Sequence, residues 1–183
     1  MATEILRPTG SPVEGWPTVI PEKSSHYAVL DEAVLDEADY IQADDDYGDE
    51  AGYTDTFTIP DCSVLQAGDT VASIQLFMQA DATGSSGGRL IDVLITNSDG
   101  TVSDLVALAS AGSELVSATF TVDSLAAAWT LAKINDITGI EIRPMISGKD
   151  ANDDYWAVYQ LYLQINYTVA SGISPSVQVV IIG

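Results

Sequence analysis

The chain has 183 residues and a formal net charge of −21, with 27 acidic side chains against six basic ones, 46% hydrophobic residues and 18% charged residues. This length suits one domain of about 150 residues with appendages, and so large an apolar share is not that of an intrinsically disordered chain. Arg7, Lys23, Arg89, Lys133, Arg143 and Lys149 are scattered, so there is no basic footprint for phosphate contacts, and neither nucleic acid nor an anionic membrane is expected as a partner.

Residues 1–25 carry Pro8, Pro12, Pro17 and Pro21, four of the seven prolines. Proline fixes φ and removes a donor, so this stretch reads as an extended N-terminal arm outside any central sheet. It also carries Ile5, Leu6, Trp16, Val19 and Ile20, and is expected to pack on its own domain or on a neighbour. Its opening residues lack the basic-then-apolar pattern of an export signal. From Asp31 to Glu50 come ten carboxylates, interrupted by Val34, Leu35, Tyr40 and Ile41. The letters DEAD at Asp36–Asp39 are coincidental without a phosphate-binding glycine loop and its lysine.

Period-two alternation begins near Tyr53, the mark of half-buried strands. Thr54 to Ile59 is the first candidate and is broken by Pro60. Between Asp69 and Ala80, Ala72, Ile74, Leu76 and Met78 alternate with Ser73, Gln75 and Gln79. Further strands are predicted at Leu90 to Thr96, Val102 to Ala109 and Leu115 to Val122. Ser124 to Asn135 leaves the period and predicts a short helix capped by Asp123 or Ser124. Strands resume at Gly139 to Ile146 and Tyr155 to Val169, where Ala157, Tyr159, Leu161, Leu163, Ile165 and Tyr167 are expected on one face. Strands at this spacing with one helix predict an all-β fold, an antiparallel β-sandwich of jelly-roll type over residues 26–169. Residues 170–183 form a C-terminal arm ending in VQVVIIG, an apolar strand that must be paired, either within its own sandwich or on a neighbouring subunit. No apolar run approaches the roughly 20 residues a spanning helix needs.

The residues offer little chemistry. Cys62 is the sole cysteine, so no intrachain disulfide forms, and its context reads as a buried thiol rather than a nucleophile. One histidine, His26, and one cysteine disfavour zinc, and the nearness of His26 to Ser24 and Ser25 in sequence is not triad geometry. No pair of carboxylates stands out for glycoside hydrolysis. No catalytic residue and no cofactor is therefore assigned. A weak Ca²⁺ site drawing on Asp44, Asp46, Asp49, Asp150, Asn152 and Asp154 is weighed against a solvated acidic loop, which is preferred; Tyr155 and Leu161 stand where an EF-hand needs glycine and glutamate. The dense aromatics Tyr155, Trp156, Tyr159, Tyr162 and Tyr167 read first as packing and second as carbohydrate contact, with Trp156 and Tyr162 on the face opposite the core stripe. Trp16, Ile20, Trp156, Tyr162, Val177, Val179 and Ile181 are the candidate interface residues.

The opening MATEILRP, the segment HYAVLDE at His26–Glu32, DTFTIP at Asp55–Pro60, the AWT…IN segment at Ala128–Asn135 and the closing VYQLYLQINYT together resemble auxiliary virion proteins of tailed bacteriophages and prophages. The resemblance covers most of residues 1 to 169. It implies a non-enzymatic, jelly-roll-like decoration protein on the outer capsid surface, made in the host cytoplasm. The implied partners are the major capsid protein and copies of itself, as a trimer or other symmetric oligomer. The alternative is a carbohydrate-binding or host-adhesion module of the phage tail or virion surface, with a glycan as partner. The acidic loop and the apolar tail depart from the family pattern.

Overall fold

The structure, a computed structural model of the chain, describes residues 1–16, 18–20, 25–31, 33, 39–44, 54–83, 90–97, 102–109, 114–121, 127–145 and 155–170. The strands are β1 (Ala2–Leu6), β2 (Gly10–Glu14), β3 (Thr18–Ile20), β4 (Tyr40–Asp44), β5 (Asp55–Thr58), β6 (Thr70–Thr83), β7 (Leu90–Asn97), β8 (Val102–Ala109), β9 (Glu114–Phe120), β10 (Ile137–Met145) and β11 (Tyr155–Thr168). Two single-turn helices, α1 (Tyr27–Leu30) and α2 (Leu131–Ile134), complete the described elements.

Sheet A runs β3-β4-β11-β6-β9, with β1 also paired to β11, and sheet B runs β2-β5-β10-β7-β8. The described pairings are antiparallel. From β4 onward the orders are β4-β11-β6-β9 and β5-β10-β7-β8, which is the connectivity of a jelly roll, two Greek keys folded into facing sheets. The fold is thus an all-β antiparallel sandwich, as the alternation predicts.

The core forms where apolar positions of facing sheets meet. In sheet A the cross-strand pairs Leu161↔Met78, Leu163↔Leu76 and Ile165↔Ile74 point inward. In sheet B, Ile140 stands between Phe57 and Ile95, and Ile142 beside Val93. Each such side chain contributes about 1.5–3 kcal/mol by leaving water. Val29 and Leu30 of α1 and Ile134 of α2 belong to the same cluster, as do Trp16, Leu65 and Trp129. The indole N–H groups of Trp16 and Trp129 find no hydrogen-bond partner among the described residues.

Four details differ from the pattern read in the sequence. First, β11 does not keep one apolar stripe from Ala157 to Tyr167. Its register with β6 shifts between Val158 and Gln160, a β-bulge that inserts one residue and reverses the facing. Val158 is buried in the core, whereas Tyr159 leaves the stripe and packs its ring against Tyr40 at 5.5 Å. Second, of the helix expected from Ser124 to Asn135 the described residues show α2 alone, Ser124 itself lying outside them; the N-cap of α2 is Thr130, extended at φ −128° and ψ 161°, whose hydroxyl accepts from the Lys133 amide. Third, α1 precedes the acidic zone and β4 lies within it, neither with an amphipathic signal in the sequence. Fourth, the N-terminal arm is extended but belongs to the sandwich: β1 lies on the edge of β11 and β2 on the edge of β5. Edge placement tolerates Pro12, as the missing donor requires. Pro144 lies beyond Ile142↔Asp55, where β5 no longer flanks β10, so its absent N–H costs no ladder bond on that side.

Candidate functional site

Two carboxylates of a strongly acidic chain tie the N-terminal segment to the sandwich. Asp55, at the start of β5 and 0% exposed, accepts the amides of Gly15 (2.6 Å) and Trp16 (2.9 Å) on Oδ1 and the His26 Nδ1–H (2.5 Å) on Oδ2. Glu14 accepts the His26 amide at 2.8 Å and the Ser11 hydroxyl. Burial pulls the His26 pKa down, but the hydrogen bond and charge of Asp55, joined by the charge of Glu14, outweigh it and leave it raised above its ordinary value. On β1, Glu4 faces the loop after β5. It accepts the Cys62 thiol at 2.5 Å, the Ser63 amide and hydroxyl at 2.9 and 3.0 Å, and the Val64 amide at 3.3 Å. Burial and the Glu4 carboxylate push the Cys62 thiol up to about 11, so it is protonated and unreactive at neutral pH. The Cys62 amide is held in turn by Asn135 at 3.0 Å. These are fastenings, and each uses a residue from a segment that carries the virion-protein resemblance.

A second array of aromatic and amide side chains lies on the outer face of sheet A. Positions alternating with the core place Thr3, Ile5 and Arg7 beside Gln160, Tyr162, Gln164 and Asn166 of β11, then Ser73, Gln75, Phe77 and Gln79 of β6, with Ser117 and Thr119 of β9 next in register. The Phe77 and Tyr162 rings stack at 4.9 Å and 15°, and the Arg7 guanidinium lies over Tyr162 at 5.0 Å, from the β1 side. In the adjoining rows Gln164 donates to Gln75 and Asn166, both at 3.0 Å. Asn166 donates to Ser73 at 3.1 Å and to Gln75 at 2.9 Å, and Gln75 donates to Thr119 at 2.9 Å. The amides therefore hold one another in fixed orientations; Asn166, Gln160 and Gln79 are buried, whereas Gln75 and Gln164 are half-buried and Thr119 is exposed, so the Gln164 carbonyl and the Thr119 hydroxyl keep capacity for another partner. Among these positions there is no carboxylate; the first on this face is Asp81, one step beyond Gln79.

Of the residues nominated from sequence, Tyr162 stands on this face, half-buried in the stack. Trp16, also nominated, is 2% exposed in the core of its own chain, where Asp55 accepts its amide. Ile20 and Trp156 supply backbone to β3 and β11, and nothing further of them is described. Of the nominated Ca²⁺ ligands Asp44, Asp46, Asp49, Asp150, Asn152 and Asp154, the described residues include Asp44 alone, which lies opposite Tyr155 on β11. The other five, and Val177, Val179 and Ile181, lie outside the described residues. Among the described residues no group of three or more acidic, histidine or cysteine side chains is placed to hold a metal, and no helix is long and apolar enough to cross a membrane. Sequence reasoning missed Phe77, Gln164 and Asn166 as a joint surface, although the alternation that buries Leu76 and Met78 already turns Phe77 outward.

No family model matches the chain, and no curated protein matches it. Among solved structures it is similar to a carbohydrate-binding module, CBM4, at 15% identity and TM-score 0.36, over 75% of this chain and 89% of that one. It is similar to the module CBM6cm-2 from Cellvibrio mixtus lichenase 5A in complex with cellotriose, at 12% identity and TM-score 0.36, over 92% and 100%. It is also similar to a protein of infectious bursal disease virus, Gt strain, at 20% identity and TM-score 0.33, over 74% of this chain but only 30% of that one. Likeness at these scores carries no argument about function; the strand order is what establishes the fold.

Proposed function

We propose that this chain is a non-enzymatic structural protein of a virus particle, a decoration protein on the outside of a tailed-phage capsid that reinforces contacts between capsomers. The observation that supports it is how the segments that resemble auxiliary virion proteins are used. His26 of HYAVLDE bonds Asp55 of DTFTIP at 2.5 Å. Asn135 of the AWT…IN segment holds the Cys62 amide at 3.0 Å, just past DTFTIP. β1, within MATEILRP, pairs with β11, within the closing motif. The resemblance thus falls on the joints of one frame rather than on scattered surface residues, as a likeness of whole architecture would. A surface of net charge −21 suits a component that stays soluble before assembly. Its partners are the major capsid protein and copies of itself.

The test is reconstitution: particles produced without this chain take up the purified protein to a fixed stoichiometry and then resist heating better than bare particles. Particles that take up none contradict the reading. The outer face of sheet A favours a second reading, a host-adhesion module on the virion surface, because its rows carry the single cation Arg7 and no carboxylate before Asp81, a stretch fitted for contact in so acidic a chain.

A further inference from the structure

We infer that the row of Tyr162, Phe77, Gln75, Gln164 and Thr119 on the outer face of sheet A, braced by the buried Asn166, is a binding site for an uncharged polysaccharide chain. The inference deepens the adhesion reading by naming a site and a ligand class, and does not depend on where in a particle the chain sits.

The rings come first. Tyr162 is covered by Arg7 from the β1 side at 5.0 Å and by Phe77 from the β6 side at 4.9 Å, so the pair is locked. Phe77 is itself only half-buried. A stacked, immobilised ring pair gives the apolar C–H face of a sugar ring a platform without an ordering cost. The amides come second. Gln164, Asn166 and Gln75 are held by mutual bonds of 2.9–3.0 Å, and Gln75 extends the array to Thr119. Gln164 and Asn166 spend both amide protons, and Gln75 both carbonyl lone pairs, inside this array, so the groups left to meet sugar hydroxyls are the Gln164 carbonyl, the second Gln75 N–H and the Thr119 hydroxyl, all with little rotamer entropy left to lose. Charge comes third. Twenty-seven acids are carried by the chain, and none occupies this row, so an uncharged ligand meets no repulsion here, whereas a polyanion is repelled by the rest of the surface. Rows of stacking and hydrogen bonding succeed one another across four antiparallel strands, β1, β11, β6 and β9, which fits an extended polymer better than a compact small molecule.

The experiment is native electrophoresis of the full chain in gels containing hydroxyethylcellulose, mixed-linkage β-glucan, xylan or galactomannan, with polygalacturonate as the charged control. At least one neutral polysaccharide is expected to retard the protein, and polygalacturonate is not. Phe77→Ala, and separately Gln164→Ala, which removes no ring, are expected to weaken retardation about tenfold or more while the unfolding temperature shows both variants folded. The inference is overturned if no neutral polysaccharide retards the chain, if both folded variants bind as well as the parent, or if the face is covered by a second copy, seen as a dimer in solution that Phe77→Ala dissociates. Particle uptake without polysaccharide binding overturns this inference and leaves the decoration reading standing.

Discussion

Asp55 holds three groups of the N-terminal segment through one buried carboxylate, the amides of Gly15 and Trp16 and the ring of His26. Removing one member of a buried charged pair leaves the other uncompensated, so His26→Ala is expected to destabilise the protein by about 3 kcal/mol or more, read by chemical denaturation. The raised His26 pKa fixes the sign of the pH effect. The pair stabilises the fold fully below the ordinary imidazole value of 6.5 and loses that contribution as pH rises through the higher folded value. Because His26 is the sole histidine, one imidazole resonance reports it: a titration midpoint above 6.5 in the parent, lowered in Asp55→Asn, is expected, and a midpoint at or below 6.5 in the parent contradicts the geometry. Glu4 and Cys62 offer a second check. Replacing Glu4 by Gln removes an anion from beside the thiol, so labelling of Cys62 at pH 8 should quicken about tenfold if its pKa falls by about one unit.

The elements show how far alternation carries a reading and where it stops. Strands β5 to β11 were legible because apolar and polar residues alternate along them in the sequence, and Leu76, Met78, Leu161 and Leu163 show period two turned into one buried face. The bulge at Tyr159 was not legible: an inserted residue reverses the facing without changing composition, so the stripe seemed to run on through Tyr159. Strand β4 hid because Ile41 is its only large inward residue in a field of carboxylates. The helix was overextended because Ala128 and Trp129 fall at helical spacing, yet the cap that starts α2 is Thr130. Thr130→Ala should therefore cost about 1 kcal/mol. Gly139 carries a different constraint. A Cβ there would meet the Phe57 carbonyl oxygen at 2.7 Å and Thr96 Oγ1 at 3.1 Å, between the two strands that flank β10. Gly139→Ala is expected to cost about 1–3 kcal/mol in thermal unfolding, and an unchanged transition would mean that β5 approaches β10 less closely than described.

For the whole molecule, the class of fold was legible from the number and spacing of strands, whereas the binding face was not. It depends on which strands become neighbours: Phe77 and Tyr162 are 85 residues apart and meet only because β6 pairs with β11. The same topology makes residues 1–16 part of the frame, closing edges of both sheets and burying Leu6 and Trp16. The most direct test of the account is cryo-electron microscopy of native particles. The account predicts jelly-roll density at regular positions over the icosahedral shell. Density confined to the tail tip, or absent from the particle, would contradict it.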